Sequence, residues 1–147
     1  MAIYFYSTID KYGVFSNFSP HGVHLRDEWW PTVEHFFQAQ KFEDASYCAK
    51  IRLARTPKDA KSLGASRKVP LRANWEGIKD GLMLEAVRCK FATHAEIREL
   101  LLSTDDEELI ENAPGDYYWG CGKDGSGQNK LGLILMQVRH EIRARQP

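Results

Sequence analysis

Apolar residues recur at helical spacing over much of this chain, and only short stretches have the composition of strands. The clearest apolar stripe lies near the C-terminus, at Leu131, Ile134, Leu135, Val138 and Ile142. A second stripe predicts a core helix over about 75–91, with Ile78, Leu82, Ala86 and Cys89 on its buried face. The segment 3–6 predicts a short strand, and 23–30 could form two more. Helices therefore dominate the predicted elements.

The segment 30–42, WPTVEHFFQAQKF, predicts a helix with an unusual order of side chains. Pro31 fits the first turn, where its missing N–H costs nothing. At about 100° per residue, one helix face carries three polar residues: Glu34, Gln38 and Lys41. Phe37 and Phe42 lie on either side of that face, although a solvated charged stripe is the ordinary explanation. A half-buried carboxylate with an amine about two turns away is also what an acid/base site requires.

Composition and charge exclude some classes of protein. A length of 147 residues predicts one domain, 1–147. The 20 basic and 20 acidic residues cancel, which argues against a general nucleic-acid binder. Three cysteines without a CxxC motif favour a reducing cytoplasm over a disulfide framework. We expect no signal peptide and no membrane span, since no window approaches about 20 apolar residues.

Metal and thiol chemistry are weakly indicated. His21 and His24 lack the further ligands that complete a zinc site, so we expect neither a metal nor a cofactor. Cys121 lies between Gly120 and Gly122, but no His or carboxylate stands at a telling position for a cysteine nucleophile.

Two loop segments offer polar and basic groups for a ligand. Ser16 and Asn17, next to Phe18, could hydrogen-bond a polar ring or ribose that the phenyl group covers; a Ser or Asx turn is the alternative. The segment 66–72 contains Arg67, Lys68 and Arg72 and is the best candidate for binding a phosphate, because Arg matches phosphate oxygens. Basic loops are more often simply solvated.

The segment 112–130 predicts a glycine-rich loop that can approach a ligand closely. It carries Asp116, Trp119 and Asn129. Trp119 could stack on a base or plug the end of the domain. Asn129 could contact the ligand or cap the last helix.

Five motifs in order resemble the YbiA/NADAR family: FSNF at 15–18, WPTVEHFFQAQKF at 30–42, SRKVPLRANW at 66–75, DYYWGCG at 116–122 and GQNKLGLILMQVR at 127–139. The likeness runs from about residue 4 to residue 143. It implies a compact, mostly α (α+β) domain with a small β element from the N-terminal segment. It also implies an N-glycosidase. Family members hydrolyse phosphoribosylated pyrimidine intermediates of riboflavin biosynthesis, and related members remove ADP-ribose from guanine in DNA.

The resemblance sharpens the candidate site. Glycoside chemistry commonly needs paired carboxylates, and Glu34 and Asp116 are the natural pair, with Lys41 as the third catalytic candidate. The substrate-binding candidates are Ser16, Asn17, Phe18, Gln38, Arg67, Arg72, Trp119, Gly120 and Asn129. Direct attack by water and a Schiff base on Lys41 both stay open. So do a diffusible riboflavin intermediate and ADP-ribosylated DNA as substrates, and a non-catalytic ADP-ribose or nucleotide-binding module as another class of function.

Overall fold

A computed structural model describes residues 1–146, which fall into two units. The terminal unit consists of Met1–Ser19 and the chain from His94 onward, and the central unit is Pro20–Thr93. In chain order the elements are β1 (Ala2–Phe5), a short 3-10 helix (Gly13–Phe15), β2 (Val23–Leu25), β3 (Glu28–Trp30), α1 (Val33–Ala39), α2 (Ala45–Arg52), α3 (Pro57–Ala65), α4 (Trp75–Thr93), α5 (Ala95–Ser103), β4 (Glu108–Glu111) and α6 (Lys130–Arg145). The predicted mostly α-helical fold with a small β element is confirmed. A single domain over 1–147 stays a prediction.

The central unit is built around α1, which packs against α2, α3, α4 and β3. Every residue of α1 is buried, including its polar ones. Strands β2 and β3 form an antiparallel hairpin, with Val23 opposite Trp30. Its two turn residues, Arg26 and Asp27, both have positive φ (57° and 62°), the geometry that suits the right-handed twist of a hairpin.

The terminal unit joins the two ends of the chain through a parallel strand pair. Strand β1 runs beside β4, with Ala2 opposite Glu108, and α6 packs on β4. Gly132 makes this packing possible, because a Cβ at that position would collide with the carbonyl oxygen of Leu109. The apolar stripe of α6 is buried from Leu131 to Val138, as predicted, whereas Ile142 is only half-buried.

The structure corrects two predictions about the helix that carries Glu34. It begins at Val33 rather than at Pro31, because Thr32 is the cap: its Oγ1 accepts the His35 N–H at 3.2 Å. It ends at Ala39, so Lys41 lies in the turn beyond it. That turn tightens to 3-10 geometry, with the Lys41 N–H donating to the Gln38 carbonyl at 3.3 Å.

The predicted buried face of α4 is wrong. Of its four predicted residues only Ala86 is buried. The face that packs inward holds Trp75, Met83, Ala86, Val87, Lys90 and Phe91. A lysine at a core position breaks the apolar stripe in the sequence, which explains the wrong choice of face.

Candidate active site

Glu34 is a buried carboxylate held by its own helix. It lies in the first turn of α1 with 7% of its surface exposed, where the helix dipole favours negative charge. One turn later, Gln38 donates its Nε2–H to Glu34 Oε2 at 2.6 Å. A carboxylate buried in this way is stable only with such donors. The arrangement fixes the direction in which the carboxylate points.

Lys41 lies close enough to the Glu34 carboxylate for the two charges to interact. Its Nζ donates to the Gly64 carbonyl at 3.4 Å. Burial, followed by the charge of Arg67 and of two further lysines, lowers the pKa of Lys41, and Glu34 partly opposes the shift. Lysine with a lowered pKa is more readily neutral, which is the form required of a nucleophile or a proton acceptor.

Arg67 and Arg72, both predicted to bind phosphate, have different surroundings. Arg67 is exposed, and its Nη1 donates to the carbonyls of Gly64 and Ser66, both at 2.9 Å. Arg72 instead donates from Nε to the Gln40 carbonyl at 3.1 Å and from Nη2 to the Phe42 carbonyl at 3.0 Å. Arg72 therefore caps the C-terminal end of the α1 segment, and its contact with phosphate stays a prediction.

His35 is a buried polar residue that is absent from the candidates predicted from the sequence. Its Nδ1 lies 2.8 Å from Thr32 Oγ1, and its Nε2 lies 3.0 Å from the Ala54 carbonyl. The carbonyl requires an Nε2–H donor, so Nδ1 accepts the threonine hydroxyl. Burial lowers the pKa of His35, with the Ala54 carbonyl opposing the shift. The sequence signal that could have indicated this contact is a Thr three residues before a His at the start of a predicted helix.

Asp116, in the terminal unit, shapes the glycine-rich loop. Its Oδ1 accepts the backbone N–H groups of Tyr118 at 3.0 Å and Trp119 at 2.8 Å. Trp119 is half-buried and meets the ring of Tyr118 edge to face at 4.8 Å. The pairing of Asp116 with Glu34 joins residues of two different units and stays a prediction.

Two other candidates of this loop have packing contacts. Gly120 is buried, and a Cβ there would come within 2.9 Å of the Ala113 Cβ. Asn129 occupies the N-cap position of α6 with a positive φ of 52°, yet its side chain makes no cap hydrogen bond. Its Oδ1 accepts the Glu111 N–H and its Nδ2 donates to the Leu109 carbonyl, both at 2.9 Å. Asn129 thus ties the start of α6 to β4.

The Ser16–Phe18 segment forms the predicted Ser turn. Ser16 Oγ accepts the Phe18 N–H at 3.1 Å. Ser16 and Asn17 are buried, and Phe18 is half-buried. The turn holds the segment in shape, and contact of these three residues with a substrate stays a prediction.

The possible metal ligands and the Cys121 thiol have the following surroundings. Within 1–146, no group of three or more His, Cys, Asp or Glu residues could hold a metal ion. Cys121 is buried, and its Sγ donates to Asn112 Oδ1 at 3.5 Å and to the Gly122 carbonyl at 3.4 Å. Neither acceptor is a general base. The central unit therefore gathers Glu34, Gln38, Lys41 and Arg67 near Gly64, and the remaining candidates other than Arg72 lie in the terminal unit.

Comparison with known proteins decides the family. The model of the NADAR domain matches residues 4–143. The chain belongs to the NADAR family. It is 53% identical over 146 residues to "N-glycosidase Npun_R5314" of Nostoc punctiforme, covering 97% of this chain and 94% of that relative. The NMR structure of E. coli YbiA superposes with a TM-score of 0.90 at 46% identity, covering 97% of this chain and 85% of that one.

A further relative is larger and its name gives a pathway. "Riboflavin biosynthesis protein PYRR, chloroplastic" of Zea mays is 41% identical over 155 residues, which cover 95% of this NADAR chain but 25% of that protein. Together, the family and its N-glycosidases confirm the prediction of an enzyme that hydrolyses N-glycosyl bonds. In the described part of the chain no helix is both long and apolar enough to cross a membrane. A cytoplasmic location stays a prediction.

Proposed function

We propose that this NADAR protein hydrolyses the ribose C1–N bond of phosphoribosylamino-pyrimidine intermediates of riboflavin biosynthesis. The observation that carries the proposal is the buried Glu34 carboxylate, held at 2.6 Å by Gln38 and placed near the half-buried amine of Lys41. The names of two relatives, an N-glycosidase and a riboflavin biosynthesis protein, support the reaction and the substrate class.

The reaction needs charges that this site can provide. As the C1–N bond breaks, positive charge develops on the sugar and negative charge on the leaving base. Glu34 stabilises the sugar charge and accepts a proton from the water that attacks C1. Lys41, when protonated, donates a proton to the departing nitrogen. The products are the free base and a ribose phosphate.

Lys41 also fits a covalent route. If the ribose opens, its C1 carbon can be attacked by neutral Nζ, the base leaves, and water then hydrolyses the resulting Schiff base. The lowered pKa of Lys41 favours the neutral amine that this step needs. Both routes use the same residues and differ in whether a covalent intermediate forms on Lys41.

The positive groups around Lys41 suit the phosphate of the substrate. The lowering of the Lys41 pKa has contributions from the charges of Arg67, Lys61 and Lys79, which places three cations within electrostatic reach of one amine. The chain as a whole has no net charge, so this excess of positive charge is local to the surroundings of Lys41. This favours a small phosphorylated substrate over DNA, whose binding depends on many phosphate contacts.

A product assay tests the function. The protein is incubated with a phosphoribosylamino-pyrimidine, an oligonucleotide carrying ADP-ribosylated guanine, and an unphosphorylated N-riboside, and free base is measured by chromatography. We expect release from the first substrate, no release from the third, and loss of release in Glu34→Gln. Glu99→Gln, an exposed carboxylate of α5, is the control. Release only from the oligonucleotide would replace the riboflavin substrate by DNA, and binding without release from any substrate would indicate a nucleotide-binding module.

Borohydride trapping distinguishes the two routes. Reduction during turnover should leave a stable ribosyl adduct on Lys41 if the Schiff base forms. Lys58→Met, which removes an exposed lysine of α3, should trap normally. Loss of activity in Lys41→Arg with no adduct in the wild type would leave Lys41 as an electrostatic partner of Glu34.

A further inference from the structure

Gly64 lies where α3 passes closest to the amide of Gln38. A Cβ at this position would overlap the Gln38 side chain, with Oε1 as the nearest atom and Cδ at 2.7 Å. Gly64 is inside α3 and has helical backbone, so its requirement for glycine comes from space and not from backbone conformation.

The two ends of the Gln38 amide have different surroundings. Its Nε2 donates to Glu34 at 2.6 Å. Its Oε1 is buried and has no hydrogen-bond partner within the described residues; it lies where a Cβ at position 64 would project. An orphan buried acceptor is unusual and calls for a reason. Turning the amide over would place Oε1 against the Glu34 carboxylate, so the repulsion between the oxygens fixes the observed orientation.

The backbone carbonyl of Gly64 also contacts residues of the candidate site. Its carbonyl oxygen accepts from Lys41 Nζ at 3.4 Å and from Arg67 Nη1 at 2.9 Å. One glycine thus admits the amide that holds the carboxylate and also orients two of the cations beside it.

We propose that Gln38 and Gly64 are positioning residues, with Gly64 leaving the space in which Gln38 holds the Glu34 carboxylate ionised and correctly aimed. The inference rests on the proposed function, in which Glu34 acts on the ribose. It also changes the predicted role of Gln38, which acts through Glu34 and not by contact with the substrate.

The first experiment follows the Glu34 carboxyl carbon by NMR in protein labelled at glutamate, as pH is varied. Loss of a donor to the charged form makes a carboxylate take up its proton at higher pH. The titration midpoint of Glu34 should rise by on the order of 1 pH unit in Gln38→Met and Gly64→Ala. Gly81→Ala is the matched control, because Gly81 is also helical and a Cβ there meets nothing within 4 Å.

The second experiment measures turnover of the phosphoribosylamino-pyrimidine. Misplacement of a reacting group by about 1 Å can cost on the order of 100-fold, so Gln38→Met and Gly64→Ala should lower kcat by about that factor with little change in KM. Gly81→Ala should keep the wild-type kcat. The double variant Gln38→Ala/Gly64→Ala should be no slower than Gln38→Ala alone, because removing the amide frees the space that the new methyl group needs.

The outcomes separate the two proposals. Unchanged Glu34 midpoints in folded Gln38→Met would overturn the positioning role, whatever the turnover; this variant carries the test if Gly64→Ala does not fold. Additive losses in the double variant would overturn the action of Gly64 through Gln38. Raised midpoints in a protein whose wild type releases no base would support the positioning of Glu34 and refute the proposed function.

Discussion

Because Lys90 is buried, we expect the stability of the folded protein to depend on pH in an unusual way. Its side chain lies in the core of the central unit with 1% of its surface exposed, and burial lowers the pKa of Lys90 to about 7 from 10.5. The folded protein therefore releases this proton near pH 7, whereas the unfolded chain keeps it until about pH 10.5. Between these values the unfolded state binds more protons, so the free energy of unfolding rises with pH.

The magnitude follows from the shift. Each pH unit between the two pKa values adds about 1.4 kcal/mol, so raising the pH from 7 to 10 should add roughly 3–4 kcal/mol from Lys90 alone. Urea unfolding at pH 7, 8, 9 and 10 measures this for the wild type and for Lys90→Met. The difference between the two proteins isolates Lys90 from the other groups that titrate there.

The Lys90→Met variant also shows which result would refute the lowered pKa of Lys90. Lys90→Met keeps the length of the side chain but cannot titrate, so its stability should rise less with pH than that of the wild type. Parallel curves for the two proteins would show that Lys90 keeps its proton in the folded core, and the argument from burial would be wrong.

Three further predictions concern Arg67, Asn129 and Trp119. Arg67→Ala should raise KM more than it lowers kcat, as expected when binding common to ground and transition states is removed; unchanged KM would take Arg67 out of the site. Asn129→Ala should lower the free energy of unfolding by about 1–3 kcal/mol, because it removes two hydrogen bonds to part-buried backbone groups of Glu111 and Leu109, and stability within error of the wild type in urea would contradict this. Trp119→Phe should keep part of the activity and Trp119→Ala little, with the circular dichroism spectrum intact; a Trp119→Ala protein that unfolds would make the ring a structural plug.

The sequence allowed prediction of elements whose signals are local. The Thr56–Pro57 start of α3 has both sequence features of a helix N-terminus, and in the structure Thr56 Oγ1 accepts the Asp59 N–H at 3.0 Å. The α6 stripe was equally clear. In contrast, the buried face of α4 was missed because Lys90 occupies a core position, which periodicity scores as polar.

The candidate site was only partly predictable for a related reason. The sequence singled out Glu34 and Lys41 as candidates because they are chemically distinctive residues in one short segment. The demand for glycine at position 64 comes from a side chain 26 positions earlier in the chain, and no local pattern reports such a contact. The capping role of Arg72 likewise depends on carbonyls of residues 40 and 42.

The central claim is that Glu34 performs chemistry on a bound N-riboside. Its most direct test measures turnover and the Kd of the substrate together, for the wild type, Glu34→Gln and Asp116→Asn. The account predicts that Glu34→Gln binds substrate with nearly the wild-type Kd while kcat falls by on the order of 10²–10⁴, because the amide keeps the shape of the side chain and loses its charge. Full turnover in both Glu34→Gln and Asp116→Asn would contradict the assignment of this site to hydrolysis.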